Sequence, residues 1–523
     1  MSIIIAGDRS GAGKTTVALT LLAGLAKRGI VQSFKVGPDY IDPMFHGAVT
    51  GRPCRNLDPV LTSPAYVQSC FDRHIQGVDY VIVEGVMGLF DGVTLPTASY
   101  ENDSSSLIAD FASTAHIARL LNLPILLVLD CRSLSGSIAA IAHGFATFDP
   151  RVKIAGLVLN KVGSDRHLEL LTNALEPLGI PIMGILRRTT SIEIPDRHLG
   201  LVPTAELDNL SAIFTQFRDL SEQCFDWNKL LSLCKVNKEP YLSLSKQNKN
   251  SSPPLKKGGW GGSSPDIKPA KVRIAVAHDR AFSFYYQDNL DLLESLGAEL
   301  LYWSPLKDDK LPPGVQGLYF GGGFPEVFGS ELASNQQGRN AVKQAILGGM
   351  PTYAECGGLM YLTQGIKDFQ GQFWEMVGIL PTTAVMGDRL ALGYRQATAL
   401  QDGLVVKEGQ QVWGHEFHRS SLIPDSSFSH SQTLPLWNTQ SLGQINNQEG
   451  WHLSHLHASY VHLHWGNTPE IPQQFLLKAS NICDRLKIQL QKSPAEIPLE
   501  PVVLRLVWQR LLKDSNLNLA AAH

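Results

Sequence analysis

Long apolar runs are missing from the sequence, and their absence excludes a protein with membrane-spanning helices. Among the 523 residues, no uninterrupted apolar run approaches the roughly 20 residues that a helix needs to span a bilayer. The opening MSIIIAGDRS contains an apolar run too short for a signal peptide, and no basic region precedes it. We therefore expect no membrane partner and a cytoplasmic location.

The sequence also lacks a large excess of charge of one sign, and it has no closely spaced pair of cysteines. The formal net charge is only -3, and because basic and acidic residues are interspersed, no basic stripe favours nucleic acid and no polybasic arm favours anionic lipid. The seven cysteines are scattered and never form Cys-x-x-Cys. This pattern argues against a disulfide framework or a structural zinc site and fits the reduced thiols of a cytosolic protein.

The chain is too long for one hydrophobic core, and its composition suggests where it divides. Residues 245–270 are rich in Ser, Pro, Gly and Lys and show no periodicity, which predicts a flexible linker. The predicted domains on either side cover residues 1–240 and 271–490. The tail, 493–523, contains the amphipathic stretch VVLRLVWQRLLKD and is predicted to form one additional helix.

Both predicted domains alternate strand-like and helix-like segments. SIIIAG, VDYVIVEG, LPILLVLD and KIAGLVLNKV are continuous apolar runs in the first domain, typical of buried parallel strands. KVRIAVAHD and GVQGLYFGGG are the corresponding strand-like segments of the second domain. Strands separated by helices predict two doubly wound α/β domains, the first like a P-loop NTPase and the second flavodoxin-like.

The first strand leads into a predicted phosphate-binding loop, AGDRSGAGKTT. Glycines at 11 and 13 allow backbone N–H groups to converge on phosphate oxygens, and Lys14 supplies a positive charge. The hydroxyl of Thr15 can bind Mg²⁺ at the start of the helix. We predict that ATP is bound by Gly11, Gly13, Lys14, Thr15 and Thr16. A glycine-rich turn with a chance lysine is the simpler alternative.

The spacing of this loop departs from the plain P-loop pattern. Gly7 lies one position further from Gly13 than G-x-x-x-x-G-K-T allows, and Asp8 occupies the expected place. A longer loop of this kind resembles dethiobiotin synthetase and its relatives. The resemblance predicts ATP as a co-substrate.

Acidic side chains follow other strands of the first domain at the edge that carries the P-loop. Glu84 and Asp91 lie in VIVEGVMGLFDG, and Asp39 and Asp42 in FKVGPDYIDP. Ligands of open α/β sheets bind at this edge. We predict that Thr15, Asp39 and Glu84 hold Mg²⁺ and that Asp39 and Asp91 contact substrate, with Asp42 a weaker candidate. For each of these acids, the alternative interpretation is a solvated loop residue that binds neither metal nor substrate.

Asn160 ends another strand of the first domain, in GLVLNKV. A side-chain amide at that edge could read the purine of ATP. A turn-forming asparagine is the alternative.

Cys356 is the predicted nucleophile of the second domain. In PTYAECGGLMYL it lies at a strand-to-helix corner, where a helix N-terminus favours the thiolate form. About a hundred residues later, His462 and His464 share one face of a strand-like stretch, and a nearby histidine is the base that a cysteine nucleophile requires. An inert core thiol is the alternative.

An anion hole is also predicted near this cysteine. Backbone N–H groups of the YFGGGFPE loop, at Gly322 and Gly323, together with Gly357, could stabilise an oxyanion.

The GGG loop, the ECGG corner and the late histidine together resemble the class I glutamine amidotransferase domain, which releases ammonia from glutamine through a thioester. That family usually ends in His-x-Glu, whereas this sequence has His462-Leu463-His464 and so lacks the third carboxylate. The resemblance assigns Cys356 as nucleophile and His462 as base. His464 is either the orienting group or structural.

The order of both sets of motifs resembles the cobyrinic acid a,c-diamide synthase family. KVGPDYIDP, EGVMGLFDG, YAECGGLMYL, GHEFHRS and ASYVHLHWG carry the resemblance, which covers about residues 1–485 apart from the linker. It implies amidation of the a and c acetates of the corrinoid cobyrinic acid, in cobalamin biosynthesis, with ATP, Mg²⁺ and L-glutamine. It also implies corrin contacts at Tyr40 and Ile41, beside Asp39. The oligomeric state stays open, a homodimer included.

Three other interpretations remain at this point. The first is the same chemistry on another tetrapyrrole: hydrogenobyrinic acid, nickel sirohydrochlorin or, less well matched, the substrate of cobyric acid synthase. The second is a ParA-like ATPase switch, which has no use for Cys356. The third is a carrier with an inactive amidotransferase lobe, suggested by the missing glutamate.

Overall fold

The computed structural model describes residues 2–94, 110–188, 195–197, 200–234, 271–424, 435–441 and 447–481. The predicted linker, 245–270, and the predicted tail helix in 493–523 lie outside the described residues. Within the described ranges, no helix is both long enough and apolar enough to cross a membrane.

The first domain is built on a seven-stranded parallel sheet with the strand order β3-β2-β4-β1-β5-β6-β7. Most of its strands are continuous Val, Ile and Leu runs, because apolar side chains cover both faces of the sheet. The strands are β1 (Ile3–Gly7), β2 (Val31–Val36), β3 (Arg55–Leu57), β4 (Tyr80–Glu84), β5 (Ile125–Asp130), β6 (Ile154–Val162) and β7 (Ile182–Arg187). A small separate hairpin joins β8 (Asp196–Arg197) to β9 (Gly200–Leu201).

Helices connect these strands and close the first domain. They are α1 (Lys14–Ala26), α2 (Ile41–Thr50), α3 (Pro64–His74), α4 (Thr114–Leu121), α5 (Ser137–Thr147), α6 (Asp165–Leu175), α7 (Leu210–Cys224) and α8 (Trp227–Cys234), with short 3₁₀ turns at Glu176–Leu178 and Thr204–Glu206. The chain reverses its direction of winding at β1, which lies between β4 and β5. Ligands bind at such a switch point in doubly wound folds.

The second domain contains a six-stranded sheet with the order β11-β10-β12-β13-β21-β20, parallel except for its last strand. Its strands are β10 (Val272–Ala277), β11 (Ala298–Trp303), β12 (Gly317–Phe320), β13 (Thr352–Glu355), β20 (Trp451–Leu453) and β21 (Leu456–Ser459). Its helices are α9 (Gln287–Ser295), α10 (Gly329–Ser334), α11 (Gln336–Leu347), α12 (Gly357–Leu362) and α13 (Glu470–Ser480), and Trp465–Asn467 forms a 3₁₀ turn. The predicted fold class, two α/β domains, is confirmed.

A second, mixed sheet in this domain was not predicted. It has the order β15-β14-β16-β17-β22, and β18 and β19 extend it from β16. Its strands are β14 (Thr363–Lys367), β15 (Phe373–Glu375), β16 (Leu380–Ala399), β17 (Gln411–Pro424), β18 (Trp437–Ser441), β19 (Asn447–Glu449) and β22 (His462–Leu463). The GHEFHRS motif, whose place the sequence did not reveal, forms the middle of β17.

The two domains share one hydrophobic cluster. Tyr40 and Ile41 of the first domain pack in it with Phe284 and Tyr286 of the second. Polar contacts add to this interface, since the Tyr394 hydroxyl donates to the Asp58 carboxylate at 2.9 Å. The sites of the two domains are therefore held against each other.

A buried ion pair also joins the domains. The Arg55 guanidinium lies 2.9 Å from Asp288 and 2.5 Å from Asp291, and both Arg55 and Asp288 are buried.

Candidate active site

The P-loop has the backbone that a phosphate site requires. Gly11 and Gly13 adopt φ angles of 76° and 94°, in the left-handed region that favours glycine, and α1 begins directly after Gly13. A Cβ on Gly13 would lie 2.1 Å from the Asn160 side-chain nitrogen. Thr15 and Thr16 follow in the first turn of α1. The loop thus opens the N-terminus of α1 toward the switch point.

Lys14 is buried and its ammonium contacts carbonyl oxygens. It donates to the carbonyl of Met87 and, at 3.5 Å, to that of Arg9. Burial, together with the nearby Lys35, lowers the pKa of Lys14. Phosphate oxygens that replaced these carbonyls would carry negative charge and so stabilise the charged form of Lys14.

A cluster of oxygen ligands lies beside Thr15. Its hydroxyl donates to Glu84 at 2.7 Å and to Asp42 at 3.2 Å. Lys35 lies between the same two carboxylates, 2.5 Å from Asp42 and 2.9 Å from Glu84. On its other side Glu84 contacts His46 at 2.7 Å. A hydroxyl and two carboxylates are the donor set that Mg²⁺ prefers, so these residues fit a magnesium ion.

Mutual charges control the ionisation of this cluster. Burial opposes ionisation of Glu84, but Lys35 and His46 hold its pKa below the ordinary value. For Asp42, burial and the neighbouring Asp39 and Glu84 outweigh Lys35 and raise the pKa to about 7. Burial also disfavours the charged form of Lys35, yet the carboxylates raise its pKa well above the ordinary value.

Asp39, one of the predicted magnesium ligands, lies at the edge of this cluster. Asp39 lies 3.9 Å from Lys35, and its Oδ1 accepts from the backbone N–H groups of Ile41 and Asp42, at 2.9 and 3.1 Å. It therefore stabilises the start of α2, whereas Asp42 and Glu84 are the carboxylates that contact Thr15. The sequence signal for Asp42 was its position in the first turn of a helix that begins at this sheet edge.

Two other residues that were predicted to bind ligands, Asn160 and Asp91, form hydrogen bonds within the protein. The Asn160 amide donates to the carbonyl of Ala12 at 2.8 Å, and its oxygen accepts from the N–H of Lys161 at 2.9 Å, so it supports the P-loop and is not presented to a purine. Asp91 accepts from the N–H of Gly88 at 2.7 Å and closes the turn after β4. Asp91 still lines the cavity described below.

Cys356 lies at the sharp corner that its sequence predicted. Its φ of 48° and ψ of -103° are strained for a residue with a side chain, and they turn the chain from β13 into α12. A Cβ on Gly358 would lie 2.6 Å from the side chain of Phe320, so only glycine allows α12 to pack this closely on β12. The Cys356 sulfur is 3.9 Å from the carbonyl of Phe417 on β17.

His462 has a carboxylate neighbour that sequence reasoning missed. Its Nδ1 lies 3.7 Å from Glu355, the residue before the nucleophile. Glu355 is fixed in turn by the Tyr353 hydroxyl at 2.7 Å and by the N–H of Leu463 at 2.9 Å. Burial lowers the pKa of His462, but Cys356 and Glu355 together raise it to about 10. A cysteine, a histidine and a carboxylate are therefore assembled without a His-x-Glu ending.

His464 does not take the orienting role that was one of its two predicted options. Its Nε2 lies 3.5 Å from Asp288, and its ring contacts Tyr66 of the first domain, with centroids 5.5 Å apart. His464 thus belongs to the domain interface, which agrees with the structural option.

The predicted anion hole is altered at one position. The N–H of Gly322 donates to the carbonyl of Phe284 at 3.2 Å and is not directed at a substrate. A Cβ on Gly322 would lie 2.6 Å from His462 Cε1, so this glycine makes room for the imidazole. The backbone nitrogen of Gly323 lies 3.0 Å from where a Cβ on Gly357 would stand, so these two glycines are close neighbours.

Tyr40 joins the two candidate centres. It is the residue before α2, two positions from Asp42, and its ring centroid lies 5.0 Å from that of His462. It also stacks on Phe284, with centroids 5.4 Å apart. Tyr40 and Ile41, predicted as corrin contacts, are buried in the interface and also line one wall of a cavity.

That cavity has a volume of about 2630 Å³ and is lined by both domains. The P-loop contributes Ser10 and Gly11 to its wall, and the second sheet contributes residues of β16 and β17. Phe417, next to Cys356, is among them. The volume exceeds that of pockets for drug-sized ligands, about 300–1,000 Å³, and so suits a larger molecule.

Comparison with known proteins agrees with this two-site architecture. Residues 3–202 match the family model of the CobQ/CobB/MinD/ParA nucleotide binding domain. Residues 273–470 match the CobB/CobQ-like glutamine amidotransferase domain.

Whole-length relatives share both domains in the same order. The chain is 57% identical to the cobyrinate a,c-diamide synthase of a Synechococcus species over 91% of its length and 98% of that protein. The chain belongs to the cobyrinate a,c-diamide synthase family. It is also 47% identical to the cobyrinate a,c-diamide synthase of a Synechocystis species, over 97% of this chain and 98% of that one. A hydrogenobyrinate a,c-diamide synthase of Streptomyces coelicolor is 39% identical, over 91% and 96%.

Membership of the cobyrinate a,c-diamide synthase family confirms the predicted resemblance and enzyme class, a ligase with glutamine as the amide donor and an ATP-using P-loop domain. A ParA-like switch accounts only for the first domain. The match of these relatives across both domains therefore excludes it as a description of the chain.

Proposed function

We propose that this chain converts the a and c acetate carboxylates of cobyrinic acid to amides, at the expense of ATP and glutamine, in cobalamin biosynthesis. The observation that carries the proposal is the placement of two centres at one interface. Tyr40 contacts His462 of the glutaminase centre and precedes the Asp42 cluster of the nucleotide centre. The names of whole-length relatives support cobyrinate as substrate.

The first step activates a carboxylate that ammonia cannot attack directly. A substrate carboxylate oxygen attacks the γ-phosphorus of ATP, the bond to the β,γ-bridging oxygen breaks, and acyl phosphate and ADP result. Lys14 and the N–H groups of the P-loop bind the phosphates. Mg²⁺, held by Thr15, Asp42 and Glu84, would neutralise charge on the transferred group.

The second step releases ammonia from glutamine. The Cys356 thiolate attacks the side-chain amide, and His462, kept protonated by its raised pKa, donates a proton to the leaving ammonia. Gly323 and Gly357 would stabilise the oxyanion. Glu355 orients the imidazole, and water then hydrolyses the thioester to glutamate.

The third step joins the two. Free ammonia is mostly protonated at neutral pH, whereas ammonia released at the domain interface reaches the acyl phosphate before it meets bulk water. Its attack on the carbonyl carbon expels phosphate and leaves the amide. The rings of Phe284, Tyr286 and His462 pack around Tyr40, which lies between the two centres.

The division of labour is tested with Cys356→Ala. We expect this variant to lose glutamine-dependent amidation and to keep ammonia-dependent amidation, because the nucleotide centre is untouched. Mass spectrometry of cobyrinic acid after incubation with ATP, Mg²⁺ and either nitrogen source resolves each conversion of acid to amide. Loss of both activities in a folded variant would reject separate roles for the two centres.

One relative favours a second candidate substrate. The Streptomyces coelicolor protein is named for hydrogenobyrinate, the same macrocycle without cobalt. Comparing kcat/KM for the two acids decides between them.

A homodimer remains a proposal, and light scattering measures the oligomeric state. The free cysteines of the described residues support a cytoplasmic location.

A further inference from the structure

Charged side chains of both domains line the interdomain cavity, and the second domain contributes Glu416 and Glu449 as well as arginines. All three aspartates that line it, Asp39, Asp42 and Asp91, come from the first domain. The three lining arginines, at 389, 395 and 419, come from β16 and β17 of the second sheet. Glutamine hydrolysis at Cys356 requires none of these arginines. Their placement opposite the nucleotide centre therefore calls for another explanation.

Arg389 differs from the other two arginines in its contacts. Arg395 pairs with Glu416 at 2.9 Å, and Arg419 donates to the carbonyl of Asp388 at 2.6 Å. Arg389 is exposed and has no hydrogen-bond or ion-pair partner among the residues that the structure describes. A guanidinium in this state can bind a carboxylate through two parallel hydrogen bonds.

A large bulge in β16 aims this side chain. Along the β16–β17 pair, Met386 is opposite Ser420 and the next paired residue, Ala391, is opposite His418. The four residues 387–390 of β16 stand opposite the single residue Arg419 of β17, and bulges of this kind redirect side chains next to active sites. Gly387, Arg389 and Leu390 all line the cavity.

Exposed apolar side chains accompany the arginine. Leu390 and Leu392 are 38% and 54% exposed, and Met87 on the first domain is 55% exposed. All three line the same cavity. Large aliphatic groups left open around a cavity mark a binding surface for an apolar body. The combination fits a flat macrocycle with carboxylates at its periphery.

We propose that the bulge formed by residues 387–390, together with Leu392, is the tetrapyrrole-binding wall of the enzyme. Arg389 pairs with a peripheral carboxylate that is not being amidated, while Leu390 and Leu392 contact the macrocycle. The inference rests on the proposed function and gives the second sheet its role: it holds the ring so that an acetate reaches the acyl-phosphate site. The ligand class is a polycarboxylated tetrapyrrole.

The test measures binding apart from chemistry. Cobyrinic acid is titrated into wild type, Arg389→Gln and Arg389→Lys without ATP, and bound corrinoid is followed by its absorbance after ultrafiltration. We expect Arg389→Gln to weaken binding about tenfold, as loss of a charge-assisted hydrogen bond predicts, and Arg389→Lys to weaken it less. Arg218→Gln, an exposed arginine of α7 outside the cavity lining, should bind as wild type does.

A second ligand separates charge recognition from damage to the fold. Cobyrinic acid with its carboxylates methylated offers no anion to Arg389, so wild type and Arg389→Gln should bind it equally. Glutaminase activity and the KM for ATP should also be unchanged. Equal affinity of wild type and Arg389→Gln for the free acid would overturn the proposal, as would an equal loss of affinity for acid and ester.

The same assays distinguish failure of this inference from failure of the proposed function. Wild type that amidates cobyrinic acid while Arg389→Gln binds it normally rejects the binding wall alone. Wild type that neither binds nor amidates cobyrinic acid rejects both.

Discussion

At the scale of single residues, a carboxylate directly precedes the predicted nucleophile of the second domain. Glu355 is the last residue of β13 and Cys356 the first residue of the turn, so one segment supplies both. Glu355 lies 3.7 Å from Nδ1 of His462. The histidine thus has a carboxylate neighbour although no acid stands two positions after it in the sequence.

Glu355→Gln tests this arrangement. We expect glutaminase kcat to fall by about 10²–10⁴-fold, as when an orienting carboxylate is replaced in other triads, because the amide no longer stabilises the imidazolium. Ammonia-dependent amidation should persist. Thermal unfolding serves as the folding control, since Glu355 also accepts bonds from Tyr353 and Leu463. Unchanged glutaminase kcat would remove Glu355 from the mechanism.

The pKa of His462 gives a second residue-scale prediction. Cys356 is its largest source of stabilisation in the charged form, followed by Glu355. In Cys356→Ser we therefore expect the pKa of His462 to fall from about 10, so that the ring loses its proton at a lower pH. NMR titration of the labelled imidazole measures this. An identical titration in both proteins would show that the sulfur does not contact the ring.

Residue roles were predictable from sequence only where a motif fixes local geometry. The P-loop glycines and Cys356 have the backbone that their motifs imply. The choice of Asp42 over Asp39 depends on which carboxylate α2 turns toward Lys35, a detail of helix phase. Glu355 stood next to the nucleophile, but its role requires knowing where His462 lies.

At the scale of elements, the glycine loop after β12 determines where the imidazole can lie. Gly322 is held by Phe284, and the absence of a Cβ leaves room for the ring of His462. Gly322→Ala would place a methyl 2.6 Å from Cε1, so the ring must move. We expect a fall of about 100-fold in glutaminase kcat, the scale of loss for a displacement of about 1 Å.

A matched control for this substitution is available on α5. Gly136, which precedes the helix, has nothing within 4 Å of an added Cβ. Gly136→Ala should leave glutaminase activity unchanged. Normal activity in both variants would mean that the loop yields to the methyl group.

The strands differ in how well the sequence predicts them. The buried parallel strands were predictable because both faces are covered and their apolar runs are continuous. The second sheet was not, because β16 and β17 mix buried and exposed positions without a regular period, and the bulge shifts the alternation within β16. No local pattern therefore marked the cavity wall.

At the scale of the whole molecule, the ion pair of Arg55 with Asp288 and Asp291 holds the domains together. Arg55→Ala removes the guanidinium from buried Asp288 and leaves it His464 at 3.5 Å. We expect this loss to cost about 2 kcal/mol and to lower the midpoint of urea unfolding. More glutamine should also be hydrolysed per amide formed, because a looser interface lets ammonia escape. The ratio of glutamate to amide measures that escape.

The control for Arg55→Ala is an ion pair on the surface. Lys407 lies 3.5 Å from Asp402 and both side chains are mostly exposed. Lys407→Ala should change stability by no more than about 1 kcal/mol, the usual value for exposed pairs. If Arg55→Ala also stays within that limit and keeps its glutamate-to-amide ratio, the pair does not hold the interface.

The ring of Tyr40 has a consequence for how such chains can be rearranged. It is encoded with the ATP-using half, yet it completes the surroundings of the base in the glutamine-using half. A chimera could join a foreign glutaminase domain to the first domain of this chain. That foreign domain would have to provide rings that pack on Tyr40, or its catalytic histidine would be open to solvent. Exchange of the two halves as independent cassettes is therefore disfavoured, and a small molecule wedged between the rings would disable both reactions at once.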